Sequence, residues 1–289
     1  MEAEGKLLQQ KLLASQNADG GWGYRNGPSW TEPTALALLA LQDFQESRER
    51  ASHWLQKAQR PDGGWPPQPS VGESTWVTSL GILATPENQL GSPACKAALN
   101  WLTIQAKPPN STLERFLLRL RGLPVPIETG AGESWFPNTA AWVYPTAMAI
   151  LALSYAADVT NHQPYRDLAQ KGKQYILSRR CPDGGWNHGG SRYLSENATS
   201  YPEITGLALL ALAGLPKPNL APSLKQARSF LAHPESIEGL SWLQMGLAGQ
   251  GAELRYGETG LPCRTTCDIA LRLLALVSLE GRNKLLKSH

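Results

Sequence analysis

The feature that most constrains this chain is a short motif that returns. Gln16-Asn17-Ala18-Asp19-Gly20-Gly21-Trp22 recurs as Gln59-Arg60-Pro61-Asp62-Gly63-Gly64-Trp65. It recurs again as Arg180-Cys181-Pro182-Asp183-Gly184-Gly185-Trp186, with Arg in place of Gln. Gly132-Glu133-Ser134-Trp135 reads as a worn fourth copy. Such self-similarity marks a repeat architecture, in which each unit buries its apolar face only against its neighbours.

The flanks repeat as well. Before each copy lies a segment with one apolar stripe and a charged face, over residues 6–15, 48–58 and 166–179, with a relative at 97–102. That is the pattern of a surface helix. After each copy comes a segment that is apolar nearly all round and rich in Ala. Residues 32–41, 144–153 and 203–212 align, with weaker relatives at 76–84 and 267–276. A helix of that kind is buried and closely packed. A polar-faced helix, a glycine turn and a buried helix form an αα-hairpin. No period-two alternation is long enough for a sheet. The expected fold is therefore all-α: an α/α toroid of about six such hairpins, outer helices outside and inner helices inside, forming one domain over residues 1–289. Residues 236–249 and 111–122 read as further helices.

Within the motif, the glycines suit a φ > 0 turn that ends the outer helix. The Trp ring covers a helix end, and its N–H needs an acceptor. Gln and Asp suit the free backbone groups at helix termini. The motif therefore reads as a structural brace. This accounts for much of an unusual composition, in which 10 Trp stand beside 8 Tyr and 4 Phe in 289 residues. Trp22, Trp65, Trp186 and Trp135 are assigned to the turns. Trp54 and Trp101 fall on outer helices, and Trp242 on residues 236–249. Trp30, Trp76 and Trp142 remain, at the starts of inner helices.

A net charge of +3 without a Lys/Arg run gives no nucleic-acid signature. No uninterrupted apolar stretch reaches the ~18 residues of a spanning helix, and residues 1–11 lack an apolar leader core. Four Cys in a chain of this length do not make a disulfide framework. These features lead to the expectation of a cytoplasmic protein with free thiols.

The Gln-x-x-Asp-Gly-Gly-Trp motif, followed by Thr-Ala-Leu-Ala-Leu-Leu-Ala-Leu, resembles the repeat of the squalene–hopene and oxidosqualene cyclases. Their wider superfamily includes class II diterpene cyclases and protein prenyltransferase β subunits. The resemblance covers residues 5–280 or so. It implies a central cavity into which the inner helices point their amino ends, and an apolar isoprenoid as ligand, with access from a membrane surface or a second subunit as further options. Class II cyclases carry Asp-x-Asp-Asp-Thr-Ala at one such start, where the central Asp protonates an alkene or epoxide. Through the Thr-Ala pair that acid position falls on Glu32, and in the other repeats on Trp76, Tyr144, Glu203 and Cys267. Asp-x-Asp-Asp itself occurs nowhere in the chain, nor does Asp-Asp-x-x-Asp.

The candidate acids are accordingly Glu32 and Glu203, with Asp268 beside Cys267. A carboxyl in a dry site is held protonated. Aromatic faces stabilise carbocations, and Trp30, Trp76, Trp142, Tyr144 and Tyr201 stand at the helix starts, with His188 on a loop that leads to one. The plain alternative for Glu32 and Glu203 is that of acids complementing a helix dipole. No cofactor is required for acid-initiated cyclisation or isomerisation. Two other readings stand beside it: a non-catalytic isoprenoid-binding or protein-interaction toroid, and a zinc-dependent prenyltransferase-like subunit. For the last, the prenyltransferase resemblance points to Cys263, Cys267, Asp268 and His188, all residue types that ligate zinc.

Overall fold

A computed structural model describes residues 2–106, 120, 131–189, 198–254, 259–278, 283 and 285. Among these, eleven α-helices occur and no strand. They are α1 (Glu2–Ala14), α2 (Thr31–Ala40), α3 (Gln45–Ala58), α4 (Thr78–Ala84), α5 (Pro93–Gln105) and α6 (Val143–Thr160). The rest are α7 (Gln163–Ser178), α8 (Pro202–Ala211), α9 (Lys217–Ala232), α10 (Ile237–Gly249) and α11 (Thr266–Ser278). The helix expected over residues 111–122 lies outside the described residues except for Leu120.

Six helices close into a ring: α2 packs on α4, α4 on α6, α6 on α8, α8 on α10, α10 on α11, and α11 on α2. These are the apolar segments, and nearly every residue of α2, α4, α6, α8 and α10 is buried. The amphipathic helices α1, α3, α5, α7 and α9 lie outside them, each against its inner partner. The fold is the double-layered α/α toroid that the two helix classes predict. Small residues set the tightest inner contact. A Cβ on Gly206 or Gly246 would run into the backbone of the facing helix, so α8 and α10 touch main chain to main chain.

The three full motif copies adopt one geometry. Gly20, Gly63 and Gly184 have φ of 94°, 92° and 96°. A Cβ there would sit 2.6 Å from the Arg50 carbonyl oxygen, 2.5 Å from that of Ala97 and 2.8 Å from that of Pro222, on the next outer helix along. The indole N–H of Trp22, Trp65 and Trp186 donates to the carbonyls of Leu12, Leu55 and Ile176 at 2.7–2.8 Å. The backbone N–H of each Trp donates to a threonine hydroxyl on the inner helix: Thr34, Thr78 and Thr205. Gln16 and Gln59 donate to Ser47 and Ala94 carbonyls, and Arg180 to that of Asn219. Each copy thus ties one hairpin internally and clamps it to the following outer helix.

The fourth copy requires a correction. Its backbone N–H to Thr146 comes from Glu133, so Glu133 and not Trp135 holds the brace position. Trp135 lies two residues further on and points elsewhere. Residues 236–249 also gain a place: α10 is a member of the inner ring. The ring is locked where its ends meet. Arg272 of α11, fully buried, takes both carboxylate oxygens of Glu4 on α1 at 2.7 and 3.0 Å, and the side-chain oxygen of Gln244 on α10 at 2.9 Å.

A carboxyl and aromatic site at the amino ends of the inner helices

The loops at one end of the ring are chained by their backbones. The residue two beyond each brace position offers a carbonyl to the start of the preceding inner helix. Thr31 donates to Pro67, Trp76 to Trp135, Val143 to His188 and Thr266 to Tyr24. The side chains of Tyr24, Trp135 and His188 are thereby brought to equivalent places around one mouth.

Inside this mouth stand the residues two past each helix cap. From α2, α6, α8, α10 and α11 these are Glu32, Tyr144, Glu203, Glu238 and Cys267, and Trp76 precedes α4. Glu238 is the member that the sequence alignment does not find, because α10 carries Leu240 where α2, α4, α6 and α8 carry a threonine. It is nonetheless an acid two residues after a Ser cap, and Ser236 does cap the helix through the Gly239 N–H.

These groups sense one another across the ring. Glu32, Tyr144 and Glu238 come from alternate inner helices, so their side chains can face each other only through the interior. Burial is the first cause raising the Glu238 carboxyl, to about 7, followed by the charges of Glu203, Glu32 and Asp268. Glu238 itself is solvent-exposed, so burial by its surroundings and contact with water act on it together. Burial likewise raises Glu32, while a hydrogen bond donated by the Tyr24 hydroxyl opposes the rise. Tyr144 and Cys267 are pushed well above their usual values by burial, then by Glu32 and Glu238. No cation figures among the causes at any of these four groups. Burial here disfavours negative charge and raises the Glu32 and Glu238 carboxyls above their usual range.

The inner wall is aromatic. Trp135 and Tyr144 stack at 5.4 Å, and Trp76 meets both edge-on at 5.1 and 5.3 Å. Trp242 of α10, fully buried, meets Tyr144 edge-on at 6.4 Å. Trp30 lies outside this cluster, edge-on to Tyr24 at 5.4 Å. Trp142 and Tyr201 are on the rim, 38% and 43% exposed. His188 stands 5.6 Å from Tyr201, and Gly189 passes beside the Trp142 ring.

Asp268 is occupied differently. Its Oδ2 accepts from the Arg264 and Thr265 N–H groups, and its own N–H donates to the Thr265 hydroxyl. That is a capping box at the start of α11. The four residues considered for zinc are not assembled: Cys263 and Cys267 lie by α11, and His188 lies between α6 and α8. Among the described residues no group of three or more His, Cys, Asp or Glu is placed to hold a metal ion. No helix among them is long and apolar enough to cross a membrane.

No protein-family model matches the chain. In sequence it is similar to the squalene–hopene cyclase of Zymomonas mobilis, 26% identical with 80% of this chain aligned. It is also similar to drimenyl diphosphate synthase of Streptomyces showdoensis, 22% identical with 80% aligned. It spans 37% and 40% of the length of those two proteins. Among solved structures, type II terpene cyclase MstE from Scytonema superposes with a TM-score of 0.56 at 15% identity, over 96% of this chain and 78% of that one. The fold is that of the type II terpene cyclases. It is also that of a GH76 α-mannanase from Bacteroides thetaiotaomicron, with a TM-score of 0.62 at 10% identity over 96% of both chains. Since the toroid hosts sugar hydrolysis as well, the fold alone does not select a chemistry.

Proposed function

We propose that this protein binds an apolar isoprenoid at the mouth of the ring and starts its cyclisation or isomerisation by protonating an alkene, with Glu32 as the acid. The observation that carries the reading is that Glu238 senses Glu32 from an alternate inner helix, that burial raises both, and that Tyr144, which senses both, packs with Trp76, Trp135 and Trp242. An alkene is a poor base, so the acid must hold its proton well, and burial raises Glu32 in that direction. In the step, the carboxyl O–H bond breaks and a C–H bond forms at the alkene, leaving a carboxylate and a carbocation. Aromatic faces stabilise the cation. Loss of a proton from carbon ends the reaction and restores the neutral acid. Tyr24 orients Glu32 through its hydroxyl, and Glu203 adds negative charge that helps keep Glu238 protonated. The similarity to squalene–hopene cyclase and to drimenyl diphosphate synthase, and the complex of MstE with geranylgeranyl dihydroxybenzoate, support an isoprenoid over a sugar.

The test is incubation of the protein with squalene and with C15–C20 prenyl diphosphates in heavy water, followed by mass spectrometry of the lipid. The reading expects cyclised or isomerised product carrying solvent deuterium, lost in a folded Glu32→Gln variant. Full turnover in that variant removes Glu32 as the acid.

A second reading is a non-catalytic isoprenoid-binding protein. It draws on the absent Asp-x-Asp-Asp and on the mutual packing of the four rings, which fill part of the interior themselves. In that case bound lipid comes back unchanged and without deuterium.

A further inference from the structure

The inner helices keep one register below the mouth. Four residues beyond each mouth residue, and so on the same helix face one turn deeper, stand Leu36, Leu80, Met148, Leu207, Trp242 and Leu271. Each is at most 2% exposed. The indole N–H of Trp242 is the only side-chain donor in this layer. It is buried and has no hydrogen-bond partner. Other buried indole donors of the chain are satisfied: those of Trp22, Trp65 and Trp186 reach backbone carbonyls, and that of Trp54 reaches Asp19 at 3.0 Å. Among the described residues, Trp242 is the one tryptophan whose buried N–H is left over. A buried donor without an acceptor has given up its water and gained nothing in return, so a core seldom contains one without a reason.

A second group of the same kind is on the ring that Trp242 touches. Tyr144, 6% exposed, meets Trp242 edge-on at 6.4 Å. Its hydroxyl makes no hydrogen bond among the described residues. The charges of Glu32, Glu238, Cys267 and Tyr24 all act on that hydroxyl, which puts it where α2, α6, α10 and α11 face one another across the mouth. Burial keeps the phenol neutral and therefore a donor, and an indole N–H can only donate. Two unpaired donors thus stand on touching rings, at the boundary between the carboxyl layer and the apolar layer beneath it. What complements them is an acceptor. It is a neutral one, because a charged group would lose its water among four leucines and a methionine.

We propose that Tyr144 and Trp242 hold a neutral oxygen of the ligand, as hydroxyl, ether or carbonyl, so that the site selects oxygen-bearing isoprenoids over hydrocarbons. This rests on the isoprenoid reading above and names the class of isoprenoid. A site built to bond an oxygen rejects the analogue that lacks it, because its own donors are then left unpaired. The bond also fixes how far the chain slides into the ring, so one chosen alkene is presented to the acid side of the mouth.

The test compares farnesol with β-farnesene, C15 chains with and without an oxygen, each titrated into the full chain and followed by tryptophan fluorescence. Comparing the ratio of the two Kd values between wild type and Tyr144→Phe cancels the difference in water solubility of the lipids. The ratio should shift about tenfold against farnesol in the variant, with the affinity for β-farnesene unchanged to within about twofold. In wild-type protein carrying nitrogen-15 tryptophan, the Trp242 indole signal, assigned through its contacts with the Tyr144 ring, should move downfield with farnesol and stay in place with β-farnesene. That readout requires no variant to fold. An equal ratio in the two proteins, or a Trp242 signal that ignores farnesol or answers both lipids alike, overturns the proposal and leaves isoprenoid binding standing. Binding of neither lipid overturns both.

Discussion

Replacing Glu238 by Gln tests the electrostatics of the interior without reference to any substrate. In the folded protein the carboxyl is raised from 4.5 to about 7 by burial first, then by Glu203, Glu32 and Asp268. In the unfolded chain it titrates near its ordinary value. Between the two, the folded state holds a proton that the unfolded state has released. Stability therefore falls as pH rises through that window, and the full cost is present above about pH 7. The whole displacement corresponds to about 3.4 kcal/mol. Water reaches the group, so screening lowers the expected cost to about 1–2 kcal/mol. Gln carries no charge at any pH and lacks this slope. Urea unfolding of both proteins at half-unit steps from pH 4.5 to 8 should show the variant gaining about 1–2 kcal/mol on the wild type across the range. Glu203→Gln should reduce the slope more than Glu32→Gln, following the order of the causes. A difference between wild type and Glu238→Gln that stays flat to within about 0.3 kcal/mol would refute the raised Glu238 carboxyl and its coupling to the other acids.

Other expectations are read from the frame. Gly20→Ala must place a Cβ 2.6 Å from the Arg50 carbonyl oxygen at φ 94°, and should cost about 2 kcal/mol or more in chemical denaturation. Gly27→Ala, where a Cβ meets nothing within 4 Å, should change stability by less than about 0.5 kcal/mol. Glu4→Gln leaves the buried Arg272 guanidinium without its anion and should destabilise by about 3 kcal/mol, whereas Arg272→Met paired with Glu4→Gln should recover most of that loss, as measured by a double-mutant cycle. Tyr24→Phe removes the hydrogen bond that lowers Glu32, so the Glu32 carboxyl should titrate higher in carbon-detected NMR; an unchanged midpoint would remove Tyr24 as its partner.

The frame was legible because its physics is local and repeated. Hydrophobic patterning separates the two helix classes, and Asp-Gly-Gly-Trp holds the information for a turn, a left-handed glycine and a buried indole donor within a few residues. The fourth turn misled for the same reason. Trp135 stands in a Gly-x-x-Trp context and reads as a brace, but the residue that receives the Thr146 hydroxyl is Glu133. Spacing from the recurring threonine hydroxyl, rather than the presence of a tryptophan, marks the position. Once that is known, Trp135 is free to stack on Tyr144, and the excess of tryptophan divides between braces and site in a different place.

The site was legible where an inner helix follows a motif copy, and not where it does not. Glu32, Tyr144 and Glu203 come after braced turns and align through the threonine two residues on, Thr34, Thr146 and Thr205. Glu238 follows a connection of four residues, His233 to Ser236, between α9 and α10, too short to hold a Gln-x-x-Asp-Gly-Gly-Trp turn. No local signal therefore announces α10 as an inner helix, although its Gly246 is what lets it lie against Gly206 of α8. The acid on it acquires meaning only from ring closure, which brings it opposite Glu32 and Tyr144. A carboxyl raised toward neutrality is a property of three helices meeting, and no single helix carries it. The absence of Asp-x-Asp-Asp from the sequence accordingly does not settle the chemistry of this toroid: in the proposed reading the two acids come from two helices, Glu32 on α2 and Glu238 on α10.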